Sequence, residues 1–218
     1  MRYILHDDQP DSLRQANRDN PRPADHGAAW EDFNSRELRD KLWTLQSGLC
    51  AYCERAIDPG PAQTTIDHII PKSCNPEVTF QYTNLVLCCD DKNTCNLHKK
   101  GKYFAGCDDT GRFRQGFIAP TQPRCASSFA YKRDGSVKPS DTAVKDDATE
   151  TLKILNLNSL DLKTERRNYL KSLEQAITSM GDQFDAIAAF LCEELSIGGG
   201  KPFFSAKLQN FRYEVSTA

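Results

Sequence analysis

Two short stretches of cysteine limit what this chain can fold into. GLCAYCERAI carries Cys50 and Cys53 in a C-x2-C turn, and NLVLCCDDKNTC carries Cys88, Cys89 and Cys95. A C-x2-C turn lets two thiolates face one tetrahedral ion, and the second group can complete the ligand set. The pattern predicts a four-cysteine zinc site made by Cys50, Cys53, Cys95 and one of the adjacent pair, Cys89 first and Cys88 as the alternative. In an extended NLVLCC run Cys89 shares a face with Leu85 and Leu87, and Cys88 shares the other with Asn84 and Val86. A thioredoxin-like redox motif fits poorly, because a helical pattern precedes the turn and no parallel-strand pattern surrounds it.

Compartment bears on how those thiols are read. The start, MRYILHDDQPD, is charged within a few residues, and no apolar run is long enough to span a bilayer. A cytoplasmic protein is expected, where clustered cysteines read as ligands rather than disulfides. Cys125 and Cys192 lie outside the cluster and are expected to be inert packing residues. The formal net charge is −2, which excludes a broadly basic nucleic-acid binder. A polyanion would need a local patch, for which Lys92, Lys99, Lys100, Lys102, Arg112 and Arg114 are the candidates.

Three regions follow from the patterning. Residues 1–48 are read as an irregular polar arm (1–28) followed by a helix marked by Trp30, Phe33, Leu38, Leu42 and Leu45. Residues 49–106 form the cysteine-bearing centre, with strand-like TTIDHII and NLVLCC. Residues 107–218 begin with turns and a hairpin around the Asp-Gly of FAYKRDGSVKP. They continue with helices carrying Leu152 and Leu155, then Leu162, Tyr169, Leu170, Leu173 and Ile177, then Phe184, Ile187, Leu191 and Leu195, before a flexible IGGGKP stretch. The fold class is α+β.

Between the cysteine groups lies TTIDHIIPKS. Asp67 can bind a hard cation, and the adjacent His68 can take a proton near neutral pH. Neighbours on a strand point to opposite faces, so one site can use both only where the strand ends or bends, as Pro71 suggests.

The combination of C-x2-C, IDHIIPK, NLVLCC and CN-x2-K resembles the HNH (ββα-metal) nuclease motif. The chain as a whole is similar to the retron- and Septu-associated, PtuB-like HNH proteins, through PDSL, the W-x2-F helix, LKILNLNSLDLKTERR and KPFFSAK. The resemblance implies a small zinc-stabilised ββα core embraced by N-terminal and C-terminal helices. It implies that His68 is the general base, that Asp67 binds a single catalytic Mg²⁺ or Mn²⁺, and that the Asn84 carbonyl orients the His68 ring. The third motif residue follows the last zinc cysteine, here Asn96, across a spacer (DDKNT) longer than the usual two residues. Residues 96 and 98 of a helix lie about 200° apart, so Asn96 and His98 cannot both reach one ion. Asn96 shares a face with Lys99 and Lys100 and suits a hard cation; His98, roughly facing the zinc, is the alternative. Asn93 reads as a turn residue. Lys72, Lys99, Lys100 and Lys102 would flank a phosphate-binding groove.

The implied activity is hydrolysis of DNA or RNA in an antiviral defence system. The implied partners are an ATPase of the PtuA type and a retron reverse-transcriptase/ncDNA module. Two competing readings are a zinc-held adaptor or nucleic-acid-binding module without catalysis, and a restriction or homing nuclease acting alone.

Overall fold

The computed structural model describes residues 1–215 other than 24, 59, 61–62, 103–115, 141–143 and 197–199; the side chains at 26, 100–102 and 212–215 also lie outside the described set. The IGGGKP stretch therefore falls partly outside it.

The polar N-terminal region is not an irregular arm. It holds α1 (Asp11–Asp19) and α2 (His26–Glu31). In α1 an acidic first turn and Arg18 in the last turn complement the helix dipole. Its single fully buried anchor is Leu13, too little apolar signal to show a helical period. Asp25 caps α2 by accepting from the Gly27 and Ala28 amides, each at 3.0 Å. The helix expected to run on from Trp30 is interrupted, and α3 (Arg36–Leu45) starts afresh. The intervening residues are capping and turn types, and Asn34 Oδ1 accepts the Arg36 amide at 3.2 Å.

At the centre, β1 (Thr64–His68) pairs antiparallel with β2 (Leu85–Cys89), and α4 (Cys95–Lys102) follows. The register sets Thr64 opposite Cys89, Thr65 opposite Cys88, Asp67 opposite Val86 and His68 opposite Leu85. Directly opposed residues share a face, so the sheet has two distinct sides. Ile66, His68, Leu85 and Leu87 face α1–α3, where Leu13, Leu38, Leu42 and Phe80 form one apolar cluster. Thr65, Asp67, Val86 and Cys88 face α4 and the larger core, which runs from Met1 to Phe211. An isolated two-stranded sheet is marginal in water, so both faces need this cover.

The remainder is β3 (Phe129–Tyr131), β4 (Val137–Pro139), α5 (Lys145–Ile154), α6 (Leu160–Ser179), α7 (Phe184–Glu194) and α8 (Phe204–Val215). The α+β expectation holds. Sequence reading missed α8, and Phe184, counted there with a buried stripe, is 64% exposed. Cys192, expected to be a packing residue, is exposed too, while Cys125 is buried. The β3–β4 connection turns at Gly135 (φ 81°), as the Asp-Gly signal predicts. It packs against α6: the buried Arg166 guanidinium donates to the Gly135 carbonyl and lies over the Tyr131 and Phe203 rings. A Cβ at Gly135 would lie 2.0 Å from the Lys163 carbonyl oxygen, which is backbone and cannot step aside. Gly135→Ala is expected to lower unfolding stability by at least about 1–2 kcal/mol, the cost of the left-handed conformation alone; a denaturant midpoint equal to wild type would contradict this packing.

Candidate functional site

The cysteine cluster is assembled from three segments. Residues 48–57 form a tight turn: the Cys50 amide donates to Arg55 O (2.8 Å), the Glu54 amide to Cys50 O (3.1 Å) and the Ile57 amide to Gly48 O (2.8 Å). Glu54, at φ 62°, lies in the left-handed region this turn requires. Cys89 ends β2, and Cys95 opens α4 at φ 54°. The thiols of Cys50, Cys53, Cys89 and Cys95 all lie within 4.8 Å of one another and are buried. The Cys50–Cys95 and Cys53–Cys89 sulfur pairs are each 3.8 Å apart. A tetrahedron with metal–sulfur bonds of about 2.3 Å has edges of about 3.8 Å, which these two pairs match, so the four could close on one zinc ion. Burial pushes the Cys53 and Cys95 thiols well up; burial also raises Cys50, but hydrogen bonds from the neighbouring thiols outweigh it and hold Cys50 well below the ordinary value. Cys88, the neighbour of Cys89 on β2, is buried within hydrogen-bonding reach of Cys50 but is not one of the four. Cys74 stands apart and is disulfide-bonded.

The long spacer is closed by its own side chain. Asp91 Oδ1 accepts the Asn93 amide at 2.8 Å, so Asn93 does lie in a turn. Asp91 Oδ2 accepts Arg55 Nη1 at 2.5 Å, and Arg55 also grips Glu165 of α6 through two bonds of 2.6 and 2.7 Å. The Cys95 amide donates to Leu155 O at 2.9 Å, Asn156 Nδ2 to Asn93 O at 2.9 Å, and Ser205 to Glu54. The LKILNLNSLDLKTERR and KPFFSAK stretches therefore brace the knuckles.

Asp67 and His68 point to opposite faces of the sheet. Asp67 is 3% exposed, and its Oδ2 accepts from Tyr52 Oη and from Lys99 Nζ, each at 2.5 Å. Lys99 Nζ also donates to the carbonyls of His68 (2.8 Å) and Ile69 (3.3 Å). Lys99, expected on an open phosphate groove, is instead buried and turned inward onto Asp67. His68 is 8% exposed and packs edge-on against Trp30 at 4.4 Å, whose ring has Lys72 Nζ at 5.9 Å from its centroid. The His68 Nε2–Thr79 O distance is 3.0 Å, and a carbonyl only accepts, so Nε2 is the donor of this pair.

Asn84 does not orient the His68 ring. Its Oδ1 accepts the Ile70 amide (2.7 Å), and its Nδ2 donates to Ile70 O (3.0 Å) and Val78 O (3.1 Å). It braces the loop after β1, while the ring is held by the Thr79 carbonyl. Asn96 is fully buried, with Nδ2 donating to Thr65 Oγ1 at 3.0 Å and Oδ1 without a hydrogen-bond partner among the described residues. Asn96 and Lys99 thus lie on the helix face that meets Thr65 and Asp67. His98 is turned away: its Nδ1 donates to Ile154 O of α5 at 2.8 Å, so it joins two helices rather than approaching Asp67. The Lys100 and Lys102 side chains, and Arg112 and Arg114, lie outside the described residues.

No family model matches the chain. A search of known proteins finds a relative from Vibrio cholerae serotype O1 biovar El Tor named "Retron Vc95 putative HNH endonuclease". It is 32% identical over 160 residues, covering 66% of this chain and 71% of the relative. The chain belongs to the HNH endonuclease family. Within this HNH protein, sequence reading missed Tyr52, Trp30, Arg55 and the Thr79 carbonyl. Tyr52 left one clue, an aromatic residue trapped between two ligand-spaced cysteines; a backbone acceptor leaves none. Among the described residues no helix is long and apolar enough to cross a membrane.

The cluster makes a divided prediction. Cys89→Ser should lose the single tightly held zinc and cooperative unfolding, whereas Cys88→Ser should keep both, as measured by metal analysis and thermal melts. Protons compete with the ion for thiolates, so zinc affinity should fall as pH falls. Full stability of the wild type after chelation would contradict a structural ion.

Proposed function

We propose that this HNH protein is a metal-dependent endonuclease that hydrolyses phosphodiester bonds in nucleic acid. The observation that carries this reading is the 3.0 Å contact between His68 Nε2 and the Thr79 carbonyl, which orients the ring. With Nε2 turned to that carbonyl, Nδ1 is the nitrogen that would serve as general base toward water. The Trp30 ring limits rotation of the imidazole, and Asn84 fixes the loop that follows.

The donors near Asp67 suit a hard divalent cation such as Mg²⁺ or Mn²⁺. Asp67 offers a carboxylate, and the buried Asn96 Oδ1 is a carbonyl oxygen without a hydrogen-bond partner among the described residues. These two residues would hold the ion, which when bound supplies stabilisation of charge on the phosphate and the leaving oxygen. Lys99 already places an ammonium on Asp67 and so fixes both the carboxylate and the turn of chain through His68 and Ile69. A cavity of about 240 Å³ adjoins this turn, lined by Ile69, Ile70, Gln81, Thr83, Asn84 and Phe117 among others. Among the described residues no charged side chain lines it. Lys72, whose Nζ lies 5.9 Å from the Trp30 ring centroid on the His68 side, would meet a phosphate there.

The retron named in the relative supports a place in an antiviral defence system of the PtuB-like kind. In that reading the nuclease is the effector, an ATPase of the PtuA type controls it, and a retron reverse-transcriptase module accompanies it.

Cleavage of plasmid, single-stranded DNA and RNA with Mg²⁺ or Mn²⁺, with and without the partner ATPase, tests this. His68→Ala should lower the cleavage rate by about 10²–10⁴-fold while zinc content stays at the wild-type level. Equal cleavage by both proteins removes His68 from the chemistry. No cleavage under any metal or partner condition would favour the zinc-held adaptor instead.

A further inference from the structure

The hydroxyl of Tyr52 has a role that packing does not explain. Tyr52 is fully buried, between Cys50 and Cys53, with its ring edge-on to Phe117 at 6.1 Å. A phenylalanine would fill the same space, and a buried phenol adds a polar group that needs a partner. That partner is Asp67 Oδ2 at 2.5 Å, a short charge-assisted bond from the cysteine turn to the central strand. The turn itself is fixed on either side of Tyr52, since the Ala51 amide donates to Leu87 O at 3.0 Å and the Cys50 amide to Arg55 O at 2.8 Å.

The second donor to Asp67 differs in kind. Lys99 supplies charge from the end of a flexible four-carbon stem, whereas a tyrosine has two side-chain torsions and delivers its hydroxyl in one direction. Both donors ride on cysteine-bearing segments: Tyr52 lies between two cluster cysteines, and Lys99 stands on the helix that Cys95 opens. Closing the cluster therefore sets where both donors sit.

We infer that Tyr52 is a positioning residue that fixes the Asp67 carboxylate from within the cysteine turn, so that the structural metal site governs the geometry of the catalytic one. The role of Asp67 as ligand of a divalent ion rests on the nuclease reading above. Tyr52 would act through Asp67, which its hydroxyl meets. Partners that orient a ligating carboxylate typically carry 10–100-fold in metal affinity or activity.

The test uses the full chain loaded with zinc and compares wild type with Tyr52→Phe. Zinc content and melting temperature should match. Mn²⁺ affinity, read by electron paramagnetic resonance, should fall about 10–100-fold, and kcat should fall in the same range with KM within about twofold. Unchanged Mn²⁺ affinity overturns the inference, as does loss of zinc or a collapsed melt, which would make Tyr52 a folding residue. A second measurement needs no truncation: with 3-fluorotyrosine at position 52, Mg²⁺ titration should shift its ¹⁹F resonance, and a resonance insensitive to Mg²⁺ overturns it. Absence of cleavage by wild type counts against the nuclease reading, while the Mn²⁺ and ¹⁹F comparisons still judge Tyr52; a wild type that binds no Mn²⁺ defeats both.

Discussion

Four sulfur atoms from three separate pieces of chain meet within 4.8 Å of one another, and the placement of nearly everything else near the site follows from that meeting. A sheet of two five-residue strands has little stability of its own. Once Cys89 at the end of β2, Cys95 at the start of α4 and the 50–53 turn are drawn together, α4 has one way to lie against β1. It advances in step with the strand, with Asn96 meeting Thr65 and, a turn later, Lys99 meeting Asp67. Distant chain reinforces the arrangement, since Leu155, Asn156, Glu165 and Ser205 all bond to the cysteine-bearing turns or the residues beside them. Those contacts account for sequence stretches with no chemical group near Asp67 or His68.

The second organising element is a buried charge pair. Asp67 and Lys99 are each 3% exposed, and removing two charges from water costs about as much as their attraction returns. The pair therefore contributes more to specifying one arrangement than to net stability. Lys99 bonds to the side chain of one residue and the carbonyls of the next two, fixing the point where β1 ends. At that point the alternation of the strand sends Asp67 and His68 to opposite faces, each into its own apolar surroundings. Two adjacent residues thus have separate neighbours: a phenol and an ammonium for one, a tryptophan face and a carbonyl for the other.

Much of this was legible in the sequence. The strands TTIDH and LVLCC, the helix opened by Cys95, the Asp-Gly turn and the long helix from Ser159 all carry strong local signals. The choice of Cys89 over Cys88 was weakly legible, because alternation separates the two but does not say which face meets the cysteine turn. The N-terminal helices were hidden because α1 rests on the single buried Leu13. The inward turn of Lys99 was hidden for another reason: a lysine in a basic run reads as solvent-facing unless the strand it crosses is known. The work of Asn84 was misplaced for the same cause, since backbone groups such as the Ile70 amide and the Thr79 carbonyl carry no sequence signature.

The DDKNT spacer has one further consequence. Its ends are set by Asp91 in the grip of Arg55 and by the Cys95 amide on Leu155, so the loop between them carries none of the register. Loop length between those two cysteines can change over evolutionary time without sliding α4 along β1. Alignment of relatives by the spacing of their cysteines would then misassign the residues that follow, whereas alignment by the helix face that meets the strand would keep them in place.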